Sequence, residues 1–284
     1  MYAILSLVIV FGAVIGGYMM HHGDLAVLIQ PNEFVIIGGA GIGSFFVGNP
    51  WPTAKKCIKS VKLMLKPGTP YSKAAYLELL LFMTSLFKFI RSKGMLAIES
   101  HIENPEASDL FTKFPGVLHD HHAITFICDY IRLMTMGIDN PYQLDDMMTT
   151  ELDSVHEEEA GIATSIVTLG DAFPALGIVA AVLGVITTMG SISEPPEILG
   201  GLIGAALVGT FIGVLLSYGM VGPMGHYLSK YFAERSRFVN CIKVGLLAHV
   251  QGNAPAISVE FARKTIPEYV MPTFKEVEEA ASAG

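Results

Sequence analysis

Residues 172–189, AFPALGIVAAVLGVITTM, and residues 198–221, ILGGLIGAALVGTFIGVLLSYGMV, set the fold of the chain. Neither stretch holds a charged side chain, and each approaches or exceeds the ~20 residues an α-helix needs to cross a hydrocarbon core. Only residues 190–197 separate them, so they read as a hairpin of two membrane helices. Two more apolar stretches lie upstream, residues 2–20 and 34–48. The latter is short, so its helix extends backward through residues 26–29 or bends near Pro31. A two-span reading stays open only if the glycine-rich residues 36–44 form a soluble turn.

Composition agrees with a membrane protein. Of 284 residues, 51% are hydrophobic and 15% charged, and the mean hydropathy is positive. A soluble domain of this size rarely carries so few charges. The 29 glycines suit transmembrane helices that pack closely. The net charge of −8 says little about partners, but no basic surface points to nucleic acid. Cys57, Cys128 and Cys241 are scattered and odd in number, which argues against a disulfide framework or a zinc site. Residues 2–20 have no Lys or Arg ahead of them and no clear small-residue cleavage site, so they are expected to be a retained helix rather than a signal peptide.

Basic residues orient the chain. All 18 Lys and Arg fall in two blocks, from Lys55 to Arg132 and from Lys230 to Lys275. The connections at residues 21–33 and 190–197 contain acids but no bases. The positive-inside rule then makes those connections periplasmic and both basic blocks cytoplasmic, with both termini inside. The expected class is an all-α integral membrane protein with four transmembrane helices and a large helical cytoplasmic domain. Its expected parts are a first transmembrane hairpin (1–48), a cytoplasmic helical domain (49–165), a second hairpin (166–223), and a cytoplasmic C-terminal helix and tail (224–284).

Within the cytoplasmic part, residues 66–70 (KPGTP) mark a turn. Leu79, Phe82, Leu86, Phe89 and Ile90 then recur at helical spacing, with Glu78, Lys88, Arg91 and Glu99 on the polar side. Asn104-Pro105, Pro115-Gly116 and Asn140-Pro141 punctuate the remainder of this part. Residues 143–159 form an acidic helix leading into the third apolar stretch, and residues 227–249 form a helix after the fourth. The chain has no fixed-period repeat, low-complexity tract or β-rich segment.

Several motifs resolve into packing. Residues 38–44 (GGAGIGS) superficially suggest a dinucleotide loop, but a fingerprint starting at Gly39 needs glycine where Ser44 stands. Gly39 with Gly43, Gly12 with Gly16, and Gly209 with Gly213 instead place small residues one helical turn apart, where backbones approach closely. The cluster His119-Asp120-His121-His122 lacks the further ligands a catalytic metal site requires, and a solvated helix start beside Pro115-Gly116 accounts for it. No nucleophile elbow or Ser–His–Asp set can be assembled, so an enzyme has no site behind it. Asp171 lies at the cytoplasmic end of the third stretch. It is either a functional ionisable group in the membrane or a hydrated interfacial one. Pro174 and Pro223 lie near the cytoplasmic ends of the third and fourth stretches. Each removes a backbone donor and crowds the preceding turn, as at a hinge or an ordinary helix boundary.

From end to end, the sequence resembles the flagellar stator A subunits of the MotA family. The resemblance rests on Gln30-Pro31 with residues 35–44 (VIIGGAGIGS), residues 171–181 (DAFPALGIVAA), and residues 208–213 (VGTFIG) continuing through Tyr218-Gly219 to Pro223. Residues 91–94 with 102–105 (IENP), and residues 259–265 (VEFARKT), add to it. More distantly, such proteins are similar to the TolQ and ExbB energy transducers.

The resemblance implies an inner-membrane ring of A subunits, a pentamer, around a dimer of MotB-like B subunits that carry the ion-binding aspartate and anchor to peptidoglycan. The third and fourth helices would line the ion path. Pro174 and Pro223 match the prolines that couple ion passage to movement, and Arg91 and Glu99 match charged positions that engage the rotor protein FliG. Sodium-type relatives carry threonine where this chain has Ala181 and another where it has Gly209. Thr210 is shared with proton-type relatives, so the translocated ion is expected to be a proton and no cofactor is implied. Each 100 mV of membrane potential supplies roughly 2.3 kcal/mol per charge. A TolQ- or ExbB-like transducer is the alternative. A secondary transporter fits less well, because such folds usually have more spans and inverted repeats.

Overall fold

The computed structural model describes residues 2–65 and 71–283, so the KPGTP turn at residues 66–70 lies outside the described residues. Every regular element among the described residues is helical. Two compact units emerge: Met1–Gly68 with Glu158–Lys230, and Thr69–Glu157 with Tyr231–Gly284.

The first unit holds the apolar helices. Three helical segments among the described residues are long and apolar enough to cross a membrane: Leu25–Gly48, Pro141–Met189 and Pro196–Val250. A shorter apolar helix, Ile4–Met20, precedes them. Their outer faces remain apolar and open, with Val8 62%, Val47 91%, Ile186 62% and Leu207 59% exposed. Contiguous exposure of this kind is what lipid or a neighbouring subunit covers.

Prolines set the starts of these helices. Pro31 opens Pro31–Gly48 and Pro196 opens Pro196–Leu216, positions where the missing N–H is one of the unpaired amides of a helix end anyway. Before Pro31, Asp24 caps the short helix Leu25–Leu28 by accepting from the Ala26 N–H at 2.9 Å. The chain therefore bends at Gln30 rather than running as one straight helix. The acidic segment at residues 143–159 and the third apolar stretch form a single helix of 49 residues, Pro141–Met189, with Pro174 inside it. Asn140 caps its start, accepting from the Tyr142 N–H at 3.0 Å. The helix after the fourth stretch begins earlier than residue 227, at Gly222, and runs to Val250.

The second unit has a conventional apolar core. Ser72 caps the helix Lys73–Lys93, accepting from the Ala75 N–H at 3.3 Å, and Gly94 ends it at φ +87°, a conformation glycine adopts at no steric cost. Leu79, Phe82 and Leu86 on this helix are fully buried and Ile90 nearly so, as their 3.6-residue spacing predicts. Phe89 is half-buried and meets the His101 ring edge-on at 4.9 Å. Phe111, Ile127, Ile242 and Ala262 close the core from other elements. Each large apolar side chain buried here contributes about 1.5–3 kcal/mol. Arg263, itself buried, grips Glu260 through two hydrogen bonds of 2.6 Å and donates a third to the Pro272 carbonyl at 3.0 Å.

Candidate functional site: a glycine seam between two proline-bearing helices

Within the first unit, the long helix and the helix Pro196–Leu216 meet along a strip with almost no side chains. A Cβ placed on Gly177 would lie 2.7 Å from the Gly209 carbonyl oxygen and 3.1 Å from the Gly213 Cα. One on Gly213 would lie 2.5 Å from the Phe173 carbonyl oxygen, and one on Gly209 would lie 3.2 Å from the Ala181 nitrogen. The strip extends both ways. Gly184 faces Ala206, whose Cα would stand 3.0 Å from an added Cβ. Gly170 faces Gly222, whose nitrogen would stand 2.9 Å away. Gly170, Gly177 and Gly184 repeat every seven residues, two helical turns, and so share one face. Bare backbone allows the close approach on which helix association in lipid depends.

Gly209 and Gly213 therefore lie in this seam. The upstream pair behaves differently: an added Cβ on Gly39 or Gly43 meets nothing within 4 Å, whereas one on Gly41 would stand 2.9 Å from the Phe173 ring. The glycine in contact is thus the one between the two that the spacing singled out.

Both prolines border the seam's lower part. Pro174 lies four residues after Gly170, so its ring occupies the place of the N–H that would bond the Gly170 carbonyl. Immediately before Pro223 the helix widens into a π turn, Ser217–Val221, closed by the Gly222 N–H bonding to the Ser217 carbonyl. Such a turn absorbs a register shift and often marks functional helices. The Gly170–Gly222 contact thus joins the two irregular turns directly. Ala181 is buried, and Thr210 borders Gly177, its Cα 3.3 Å from an added Cβ there. Ala181, Gly209 and Thr210 consequently share one stretch of seam. Asp171, next to Gly170, is exposed.

At the other end the seam holds a carboxyl that the sequence places in the acidic connection at residues 21–33. Glu33 is only 7% exposed, and its Oε2 has no hydrogen-bond partner among the described residues. That oxygen crowds the position an added Cβ on Gly209 would take, and Oε1 lies 3.7 Å from one on Gly184. The carboxyl borders a cleft of about 400 Å³ that includes Gln30, Asn32, Thr187 and Thr188. The available signal was Pro31: a proline at the first helical position starts the helix there and puts Glu33 in its first turn.

Arg91 and Glu99 belong to the second unit, and both are exposed. Arg91 lies in the last turn of Lys73–Lys93, where a cation is favoured by the helix dipole. Glu99 opens the short helix Glu99–Glu103, and the Gly94 turn connects the two. The His119–His122 cluster serves local structure. Asp120 caps His121–Thr135, accepting from the N–H groups of His122 and Ala123, each at 3.1 Å. His119 Nδ1 pairs with the Pro115 carbonyl at 2.7 Å, and His122 Nε2 lies 2.7 Å from Arg235 Nη1. Burial, with the Arg235 charge adding to it, holds His122 below the usual histidine range. No group of three or more His, Cys, Asp or Glu suited to a metal occurs among the described residues.

Comparisons with known proteins agree with this architecture. Residues 4–94 match the family Motility protein A N-terminal, and residues 124–239 match the MotA/TolQ/ExbB proton channel family. Motility protein A of Escherichia coli (strain K12) is 43% identical over 284 residues, 100% of this chain and 96% of that protein. The chain belongs to the motility protein A family. Within it, motility protein A of Salmonella typhimurium is 42% identical over 100% of this chain and 96% of its own length. Chemotaxis protein LafT of Vibrio parahaemolyticus is 34% identical over 96% of each chain. The fold also matches a chain of the C. jejuni MotAB structure, with a TM-score of 0.79 at 16% identity, covering 94% of this chain and 96% of that one. A chain of the flagellar MotAB stator complex from Bacillus subtilis gives 0.73 at 19% identity, covering 95% and 98%. Family membership makes the chain a non-enzymatic, ion-conducting subunit.

Proposed function

We propose that the chain is the A subunit of a flagellar stator, which converts ion-motive force into torque on the rotor. Whole-length identity of 43% to a motility protein A is the observation that carries this reading. The bare seam between the two proline-bearing helices supplies its moving part. In the reading, four helices span the inner membrane: the N-terminal helix, the helix from Pro31, the apolar half of the long helix and the helix from Pro196. Both termini are cytoplasmic, since all 18 Lys and Arg lie outside the two acidic connections.

Several A subunits form a ring around MotB-like subunits whose carboxylate carries the ion. The exposed apolar faces of the first unit are covered by lipid and by neighbouring copies, and the charged unit with Arg91 and Glu99 faces the rotor protein FliG. Protonating a partner carboxylate removes a charge that is expensive in low dielectric. Contacts along the Gly170–Gly222 crossing then change, and the prolines let the two helices bend there.

The coupling ion is the proton. A sodium ion must exchange its hydration shell for several protein oxygens, and Ala181 and Gly209 offer no hydroxyl where they meet. The chain is co-purified with its B subunit and expressed in a strain lacking both genes. Swimming should be restored, persist when potassium replaces sodium, and stop with a protonophore. Failure to co-purify with the B subunit would refute the stator reading. Speed that follows external sodium at fixed proton-motive force would refute the proton assignment.

A further inference from the structure

We infer that Glu33 is a proton-binding site of the A subunit itself, taking a proton from the cleft beside it and holding it in the glycine seam. Three observations meet at this residue. Its side chain is nine-tenths buried, with a relative exposure of 7%. Its Oε2 finds no donor anywhere in the described structure. It is aimed between Gly184 and Gly209, at the end of the seam away from Gly170 and Gly222.

A charged carboxylate in that place has no cation beside it on the two facing stretches and no donor on Oε2 among the described residues, the compensation buried charges normally have. Neither residues 172–193 of the adjoining helix and turn nor residues 198–217 opposite contain an Asp, Glu, His, Lys or Arg. Glu33 is also the one titratable residue in its own helix, Pro31–Gly48. The electrostatic state of this part of the seam is therefore set by a single O–H bond, formed when the carboxylate takes a proton and broken when it releases one. The cleft provides the route: Gln30, Asn32, Thr187 and Thr188 lie along it beside apolar Ile36, Leu183 and Leu202, and its volume of about 400 Å³ has room for the water that carries a proton.

Gly209 leaves the space the carboxyl occupies, while Gly184 only borders it. Glu33 Oε2 already crowds the position of an added Cβ at Gly209, so the glycine there makes room for the acid as well as for the helix contact. Gain or loss of the proton changes the charge buried at the point where the two helices touch.

The inference rests on the stator reading only for the direction of proton flow, and its test is chemical. The full-length chain, alone or in complex with its B subunit, is treated with N,N′-dicyclohexylcarbodiimide, which modifies protonated carboxyls in apolar surroundings. Labelling is then quantified by mass spectrometry. Glu33 should be labelled at neutral pH at least about tenfold more than the exposed Glu194 and Glu197, less as pH rises, and independently of sodium. In cells, Glu33→Gln should assemble at wild-type levels yet lose most swimming, while Glu33→Asp retains part of it.

Labelling of Glu33 no stronger than that of Glu194 would overturn the inference. So would labelling suppressed by sodium at fixed pH, or full-speed swimming of Glu33→Gln across the pH range. If no complex forms with the B subunit, the stator reading fails, whereas labelling of the chain alone still decides the role of Glu33.

Discussion

Replacing Gly177 by alanine is the most direct probe of the seam. The new Cβ would stand 2.7 Å from the Gly209 oxygen, 3.1 Å from the Gly213 Cα and 3.3 Å from the Thr210 Cα. All three are backbone or Cα atoms of the facing helix, so no rotamer change can relieve the contact. An ordinary carbon–oxygen approach is about 3.4 Å and a carbon–carbon one about 3.5–4.0 Å. The helices must therefore separate by roughly 0.5–0.8 Å over this turn, and neighbouring contacts lose part of their dispersion energy. Overpacking of this kind typically costs about 1–3 kcal/mol. At about 2–4 °C per kcal/mol for a chain this size, the melting temperature of the purified protein should fall by about 4–8 °C for a cost near 2 kcal/mol.

The control is Gly12→Ala, where nothing lies within 4 Å. Removing a helical glycine there is expected to be neutral or stabilising by up to about 1 kcal/mol. Thermal unfolding followed by near-ultraviolet circular dichroism in detergent gives both values, with membrane abundance and swimming measured in parallel. A Gly177→Ala protein that melts at or above the wild-type temperature and still swims would refute the close-packed seam.

Reversing both exposed charges, Arg91→Glu with Glu99→Lys, should abolish swimming at wild-type membrane levels, with partial rescue by reversed charges on the rotor. Single exposed pairs are worth only about 0.2–1 kcal/mol, so single reversals should be milder, and normal swimming of the double variant would remove both residues from the rotor contact. For topology, cysteines at Asp24 and at the exposed Ser193 should react with impermeant thiol reagents in intact cells, while one at the exposed Ser100 should react only after lysis. Native Cys57 and Cys241 are buried and would be protected on either side. Glu276 accepts from Lys73 Nζ and the Thr273 N–H, each at 2.7 Å, and these partners, Lys73 foremost, lower its pKa from 4.5 to about 2. A depressed carboxyl pKa stabilises the folded form above the unfolded value, so the attachment of the helix Phe274–Ala283 should weaken as pH falls from about 4.5 toward 2. Amide exchange of residues 274–283 should accelerate in that window, and Glu276→Gln should remove the acid dependence.

Much of the molecule is legible in the order of its amino acids. The lack of charge in residues 172–189 and 198–221 predicts helices, because a lone apolar segment in lipid must satisfy its own backbone. The 3.6-residue recurrence of Leu79, Phe82, Leu86 and Ile90 predicts one buried face, since helical geometry alone decides which side chains align. Prolines at 31, 141 and 196 stand at the first position of their helices, a local signal, because they lack an N–H that a first turn does not use. All these are local consequences of covalent chemistry, so the sequence by itself determined them.

The seam is different. That Gly177 meets Gly209 and Gly213, that Gly170 touches Gly222, and that Gly41 rather than Gly39 contacts Phe173 depend on how helices remote in sequence are rotated against one another. Spacing marks a small-residue face without naming its partner. Glu33 is the sharpest instance. As sequence it is an acid beside a short polar connection, as hydrated as any other. Folding closes two uncharged stretches, residues 172–193 and 198–217, against it and leaves its Oε2 without a donor among the described residues. Burial of a polar group is a property of what surrounds it, so only the tertiary structure decided that this carboxyl stands alone.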